Sequence, residues 1–235
     1  MSILTNNGKR LTIGSSTALS FPSVIADGEG QLFNGLNQYD YISDNGTLDI
    51  NQSTTDFCYG GYITTGSSYS GLIYLLGKQI AGNTDGRYGI QIYENKLQSR
   101  LETSGGSVFV DNVIPISTNT KYFVMTRIDL INLKFYYYIN NVLQNTGGIP
   151  YIGTIATLGN EYEFYLGAGN TFNGSGIDYH FNGRLQDIRI YHKDVSNQQA
   201  DWMLGKQLGD EVAWWNLPTL TGFGGTPYNL TSVNL

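Results

Sequence analysis

The chain has 235 residues, of which 14% are charged and 13% aromatic, with 18 Tyr and 30 Gly. Its 13 Lys and Arg against 19 Asp and Glu leave a formal net charge of −6, which argues against a surface built to neutralise a nucleic-acid backbone. No apolar run approaches the roughly 20 residues of a membrane helix, and Met1 to Asn7 has no apolar signal core.

Gly-rich turns between Tyr-rich segments predict an all-β domain. The single Cys58 has no internal disulfide partner and falls in a strand, where a small buried hydrophobe is expected. A first strand is expected at Lys9 to Ile13. From Leu32 to Ile42, the Asn34-Gly35 pair suits a turn needing positive φ, and Tyr39, Tyr41 and Ile42 open the next strand. Asp56 to Thr64 alternates, with Phe57, Tyr59, Gly61 and Ile63 on one face and Cys58, Gly60 and Tyr62 on the other.

Gly66 to Gly71 reads as an exposed loop, and Leu72 to Ile80 as a buried strand. Asn83 to Gly86 is a turn. Arg87 to Tyr93 and Lys96 to Thr103 form a hairpin expected to be half exposed, with Lys96, Gln98, Arg100 and Glu102 on its outer row. Ser107 to Ile114, Lys121 to Asp129, Leu133 to Leu143 and Tyr162 to Ala168 complete the middle of the chain. Asn141 stands at a left-handed turn position, which Asn tolerates best after Gly.

The stretch from Phe181 to Leu204 organises the rest. Leu185, Ile188 and Ile190 are its apolar contacts, with Arg189 and Tyr191 pointing the other way. The step of three between Leu185 and Ile188 predicts a bulge near Gln186 or Asp187. Ser196 is expected to cap a short helix, with Gln199 closing a capping box and Val195 and Ala200 forming a staple. Ala200, Met203 and Leu204 then recur at helical spacing.

These motifs resemble the laminin G-like and pentraxin-like jelly rolls of the concanavalin A-like lectin superfamily. Phe181 to Tyr191 is similar to the family's F-x-G-x-I-D-x-V-R-I-Y strand, and Val195-Ser196-x-x-Gln199 to its A-L-S-x-x-E-I. Gln186 replaces the usual Asp and removes a charge. Leu32 to Ile42, Asp56 to Thr64, Lys121 to Asp129, Tyr138 to Leu143 and Tyr162 to Ala168 match further family strands in the expected order. The resemblance implies a two-sheet antiparallel jelly-roll sandwich with one short helix, spanning residues 32–204.

Residues 1–31 are then an N-terminal segment and 205–235 a tail. Asp210 to Leu217 resembles a strand that usually precedes such a domain. Trp214 and Trp215 are therefore read either as an attachment interface or as part of an edge strand.

For chemistry, the E-x-D-x-x-E carboxylate motif of the family's glycosidases is absent. Glu161 and Glu163 are read as a solvated edge, Glu102 as part of a charged surface row, and His180 and His192 as structural. No catalytic residue is expected. The residues themselves call for no cofactor. Calcium is the one the resemblance would lend, with Asn83 and Asp85, or Asp178 with Asn170 and Asn173, as ligands. Tyr62, Tyr69, Tyr136 and Tyr138 are the candidate sugar or protein platform.

Three functions are weighed. The first is a non-enzymatic structural or binding module exposed on a bacteriophage virion, made without a signal peptide and bound to other virion proteins or to itself as a homo-oligomer. The second is a glycan-binding lectin-like module for bacterial or host glycans, a bacterial surface glycan among them, with or without calcium; the third is a glycosidase. Neither a nucleic acid nor a membrane is expected as partner.

Overall fold

A computed structural model describes residues 3–4, 10–11, 30–43, 46–50, 54–78, 87–111, 115–155, 163–170, 176–217 and 230–233. The strands are β1 (Ile3–Leu4), β2 (Arg10–Leu11), β3 (Gln31–Asn34), β4 (Tyr39–Ile42), β5 (Asp56–Thr65), β6 (Leu72–Lys78) and β7 (Tyr88–Tyr93). They continue as β8 (Lys96–Thr103), β9 (Gly106–Asp111), β10 (Lys121–Asp129), β11 (Lys134–Ile139), β12 (Val142–Leu143) and β13 (Ile149–Pro150). The last are β14 (Phe164–Leu166), β15 (Gly169–Asn170), β16 (Ile177–Asp178), β17 (Asn182–Tyr191), β18 (Glu211–Trp215) and β19 (Thr231–Val233). One short helix, α1 (Gln199–Met203), follows β17 after a 3-10 turn at Ser196–Gln198.

Two antiparallel sheets face each other. One runs β12-β11-β10-β5-β17-β18, with β13 beside β11 and β3 beside β17; the other runs β19-β4-β14-β6-β7-β8-β9. The expected sandwich with one short helix is thus present. Its core lies between the sheets, where Phe57 meets Tyr88 at 4.9 Å and Trp215 stacks on Phe164 at 5.5 Å. A chain of hydroxyls crosses it: Tyr59 OH is 3.1 Å from Ser99 Oγ, which is 2.5 Å from Thr126 Oγ1. These buried groups satisfy one another, so burying them carries little desolvation penalty.

The bulge lies where the step of three placed it. Pairing of β17 with β5 shifts between Gln186 and Arg189, and Asp187 adopts φ 52°. Gly61 makes room for it, because a β-carbon there would lie 2.6 Å from Ile188 Cδ1 and 2.7 Å from the Asp187 carbonyl. The Asn-Asn turn between β11 and β12 has both Asn140 and Asn141 at positive φ, 50° and 64°. Cys58 is buried, as expected.

Four local expectations are corrected. The capping box does not form: no side chain caps the Ser196 turn, the Ser196 amide donates to Asp194 Oδ1 at 2.7 Å, and Gln199 Nε2 donates to the Ser196 carbonyl at 2.9 Å. Ala200 and Leu204 are exposed; the helix is anchored instead by Trp202, which packs with Cys58, Phe123, Met125, Tyr191 and Val195. This second cluster covers the outer face of the eight-stranded sheet, so Arg189 and Tyr191 are buried although they point away from the main core.

The β7–β8 hairpin is less exposed than its alternation suggests. Glu102 is only 1% exposed, holding the guanidinium of Arg100 and accepting from Ser107 Oγ at 2.6 Å. The boundary drawn at residue 204 also falls inside the sandwich. β18 pairs with β17 and β19 pairs with β4, so the tail contributes a strand to each sheet.

Candidate functional site

The two outer faces differ. Helix α1 and its aromatic cluster cover part of the eight-stranded sheet, whereas no described helix covers the seven-stranded one. Alternation in β7 and β8 sends Tyr88, Ile90, Ile92, Leu97 and Leu101 into the core. It therefore sends Gln91, Tyr93, Gln98 and Arg100 outward. Gln91 stands opposite Gln98, and Arg100 opposite Phe109.

These residues shape a groove of about 370 Å³, lined by Leu72, Gln91, Tyr93, Gln98, Arg100 and Phe109. Its walls are aromatic: Tyr93 is 42% and Phe109 43% exposed. The Arg100 guanidinium lies 5.2 Å from the Phe109 ring centre while its Nε donates to Glu102 Oε1 at 2.6 Å. The floor is polar. Gln91 Nε2 donates to Gln98 Oε1 at 2.8 Å, but Gln91 Oε1 is buried without a hydrogen-bond partner. Tyr74 on β6, opposite Gln91, is buried with its hydroxyl near the Arg100 guanidinium. Burial pushes its pKa up, and the nearby Arg100 and Arg87 guanidiniums pull it back.

Beside the groove, where β6 begins, lies a rim recess of about 420 Å³. The β3–β4 turn, the loop before β6 and the β16–β17 junction enclose it, presenting Leu36, Tyr69, Asp178, Tyr179, His180 and Asn182. Tyr179 holds φ 59° and its ring rests 5.0 Å from that of Tyr74. Its conformation is fixed from two sides: its amide donates to Asp178 Oδ1 at 2.8 Å and its carbonyl accepts from the Tyr74 amide at 3.0 Å. His180 Nδ1 is buried without a partner, its ring 6.1 Å from Tyr39. Further along the face, Tyr39, Tyr41 and Tyr165 form an aromatic triangle with centres 6.0 to 6.3 Å apart.

The four tyrosines proposed as a platform do not come together. Tyr62 and Tyr138 pack against the cluster under α1, Tyr62 donating to the Met203 carbonyl at 2.7 Å. Tyr136 lies with the Arg127 guanidinium 5.1 Å from its ring centre, on the eight-stranded sheet. Tyr69 alone lines the rim recess, and its hydroxyl donates to the Ile116 carbonyl at 2.5 Å. The aromatic residues that do gather on the uncovered face were missed. Their one sequence signal is the alternation Tyr39-x-Tyr41.

Trp215 is fully buried in the core, leaving no surface for a partner. Trp214 lies on the opposite side of β18, its Nε1 donating to Asp187 Oδ1 at 2.6 Å beneath the Arg189 guanidinium. Of the suggested calcium ligands, Asn83, Asp85 and Asn173 lie outside the described residues. Asn170 and Asp178 sit on the paired strands β15 and β16. Among the described residues no three His, Cys, Asp or Glu side chains cluster as metal ligands. Glu161 is also outside the described residues, and Glu163 accepts from the Tyr165 hydroxyl at 3.0 Å.

The two antiparallel sheets packed face to face form a jelly-roll sandwich. The sequence model of the concanavalin A-like lectin/glucanases superfamily matches residues 33–200, and the chain belongs to that superfamily. No curated protein sequence matches it significantly. Solved structures share its fold at low identity. A Bacteroides ovatus protein proposed to bind carbohydrate is 15% identical, with a TM-score of 0.59 over 88% of this chain and 61% of that one. The CBM40 module of a Ruminococcus gnavus sialidase is 17% identical, with a TM-score of 0.53 over 76% and 97%; a further structure of it contains α2,3-sialyllactose. A heptameric pentraxin of Limulus polyphemus is 13% identical, with a TM-score of 0.50 over 71% and 77%.

Proposed function

We propose that this chain is a non-catalytic, lectin-like module that binds a glycan on the outer face of its seven-stranded sheet. The observation that carries this reading is the groove itself, where the half-exposed rings of Tyr93 and Phe109 stand beside Gln91, Gln98 and Arg100. The rings supply apolar surface for sugar C–H faces, and the amide and guanidinium side chains supply polar groups along the same groove. Glu102 is engaged by Arg100 and Ser107, which supports binding over acid catalysis. The carbohydrate-binding module among the fold neighbours supports the same reading.

The test is a glycan array with the wild-type chain, Gln91→Leu and Phe109→Ala. Wild type binds a defined set of glycans, and both variants lose that signal while keeping wild-type circular dichroism. A wild-type chain that binds nothing on the array overturns the reading.

Exposure on a bacteriophage particle, alone or as a homo-oligomer, is a separate proposal. It is supported by the low charge and the Asn-, Gly-, Thr- and Tyr-rich composition. Immunogold labelling of purified particles tests it, and unlabelled particles would overturn it.

A further inference from the structure

We infer that the site takes an internal segment of an extended glycan chain and not a single terminal sugar. This inference rests on the proposed function. Its basis is that the groove and the rim recess share one wall residue, Leu72, which lines both. Leu72 is partly exposed and stands opposite Tyr93, so the two spaces meet over a low apolar sill. A terminal-sugar site is a pocket closed at one end. Here two open recesses of about 420 and 370 Å³ abut, each within the roughly 300–1,000 Å³ of an ordinary ligand site.

The distances agree. The groove crosses β6, β7, β8 and β9, three strand spacings of about 4.8 Å or about 14 Å in all. That already exceeds one sugar ring, and the rim recess extends the path past Tyr179 to Asn182. Both halves carry polar side chains: Gln91, Gln98 and Arg100 line the groove, and Asp178, His180 and Asn182 line the recess. Tyr179 walls the recess. An aromatic residue held at positive φ costs of order 1–3 kcal/mol and persists only where its surroundings enforce it. Asp178 and the Tyr74 amide do so, fixing the Tyr179 ring against Tyr74.

Calorimetric titration with oligomers of one to six residues tests this. The probes are β-1,4-linked glucose, xylose and N-acetylglucosamine, and α2,8-linked sialic acid. In the series that binds, affinity rises at least tenfold from disaccharide to hexasaccharide. Ser70→Trp fills the recess from an exposed loop position without touching the core. It lowers hexasaccharide affinity to the disaccharide level and leaves disaccharide affinity unchanged. Equal affinity for short and long oligomers, with no effect of Ser70→Trp, overturns the extended-chain inference and leaves the glycan-binding reading standing. Binding to none of the four series and to no array glycan overturns both.

Discussion

Asp187 and Arg189 form a bidentate ion pair across the β17 bulge, with Nε to Oδ1 and Nη2 to Oδ2 both at 2.9 Å. Neither side chain is more than 1% exposed. Trp214 Nε1 donates to the same Oδ1 at 2.6 Å, the Lys206 carbonyl accepts from Arg189 at 2.5 Å, and the guanidinium lies 4.2 Å from the Trp214 ring centre. The bulge turns Asp187 onto the side of the sheet where Arg189 lies.

Removing one member of this pair leaves the other buried and uncompensated. Asp187→Ala is expected to lose about 3–5 kcal/mol of folding stability. Arg189→Lys is expected to lose stability too, because an ammonium cannot make two parallel bonds. Urea unfolding followed by Trp fluorescence measures both. A loss under about 1 kcal/mol for Asp187→Ala would show that the pair does not hold β17 to β18.

Asp40 faces the core side of β4 and accepts from Ser232 Oγ at 2.5 Å, while among the described residues its Oδ2 has no partner. Burial raises its pKa from 3.8 to about 6 against the weaker lowering effect of Ser232. The folded chain thus holds the proton more tightly than the unfolded one. Its contribution to stability is complete below pH 3.8 and is lost as pH rises through about 6. The loss amounts to about 3 kcal/mol, at 1.36 kcal/mol per pH unit. Urea midpoints across this range should fall with pH for wild type relative to Asp40→Asn. Parallel curves would rule this out.

Ending the chain at Gly209 removes β18 and β19, one strand from each sheet. It also removes Trp215, which stacks on Phe164 with ring planes 22° apart. Losing a buried Trp side chain alone costs about 3–5 kcal/mol, against a total stability of roughly 5–15. The shortened chain is expected not to fold, as read by loss of cooperative thermal unfolding. A folded truncation would make the tail dispensable and restore the attachment reading of Trp214 and Trp215.

Cys58 lies on β5 beneath Val195 and Trp202. Burial pushes its thiol far above the usual range, so it stays protonated and inert. Ellman's reagent is expected to leave the native protein unlabelled and to react fully in guanidinium chloride. Rapid native labelling would mean that α1 lifts from the sheet.

The sequence by itself determined the long strands, the Asn140-Asn141 turn and the bulge, because these follow from local steric rules. The step from Leu185 to Ile188 can be met only by an extra residue, and Asn140-Asn141 suits a left-handed turn. Period-two alternation also fixed which side chains share a face. It could not say what covers that face. Tyr62, Tyr138 and Arg189 look like outward residues on their strands, and the return of the chain through Trp202 buries Arg189 and partly covers the two tyrosines. The converse holds for the candidate site. Tyr39, Tyr74, Tyr165 and Tyr179 lie on separate elements, and Gln91 and Gln98 are adjacent only through the β7–β8 register. Such a site depends on which strands become neighbours, and cross-strand pairing is decided by how the two sheets close on a common core.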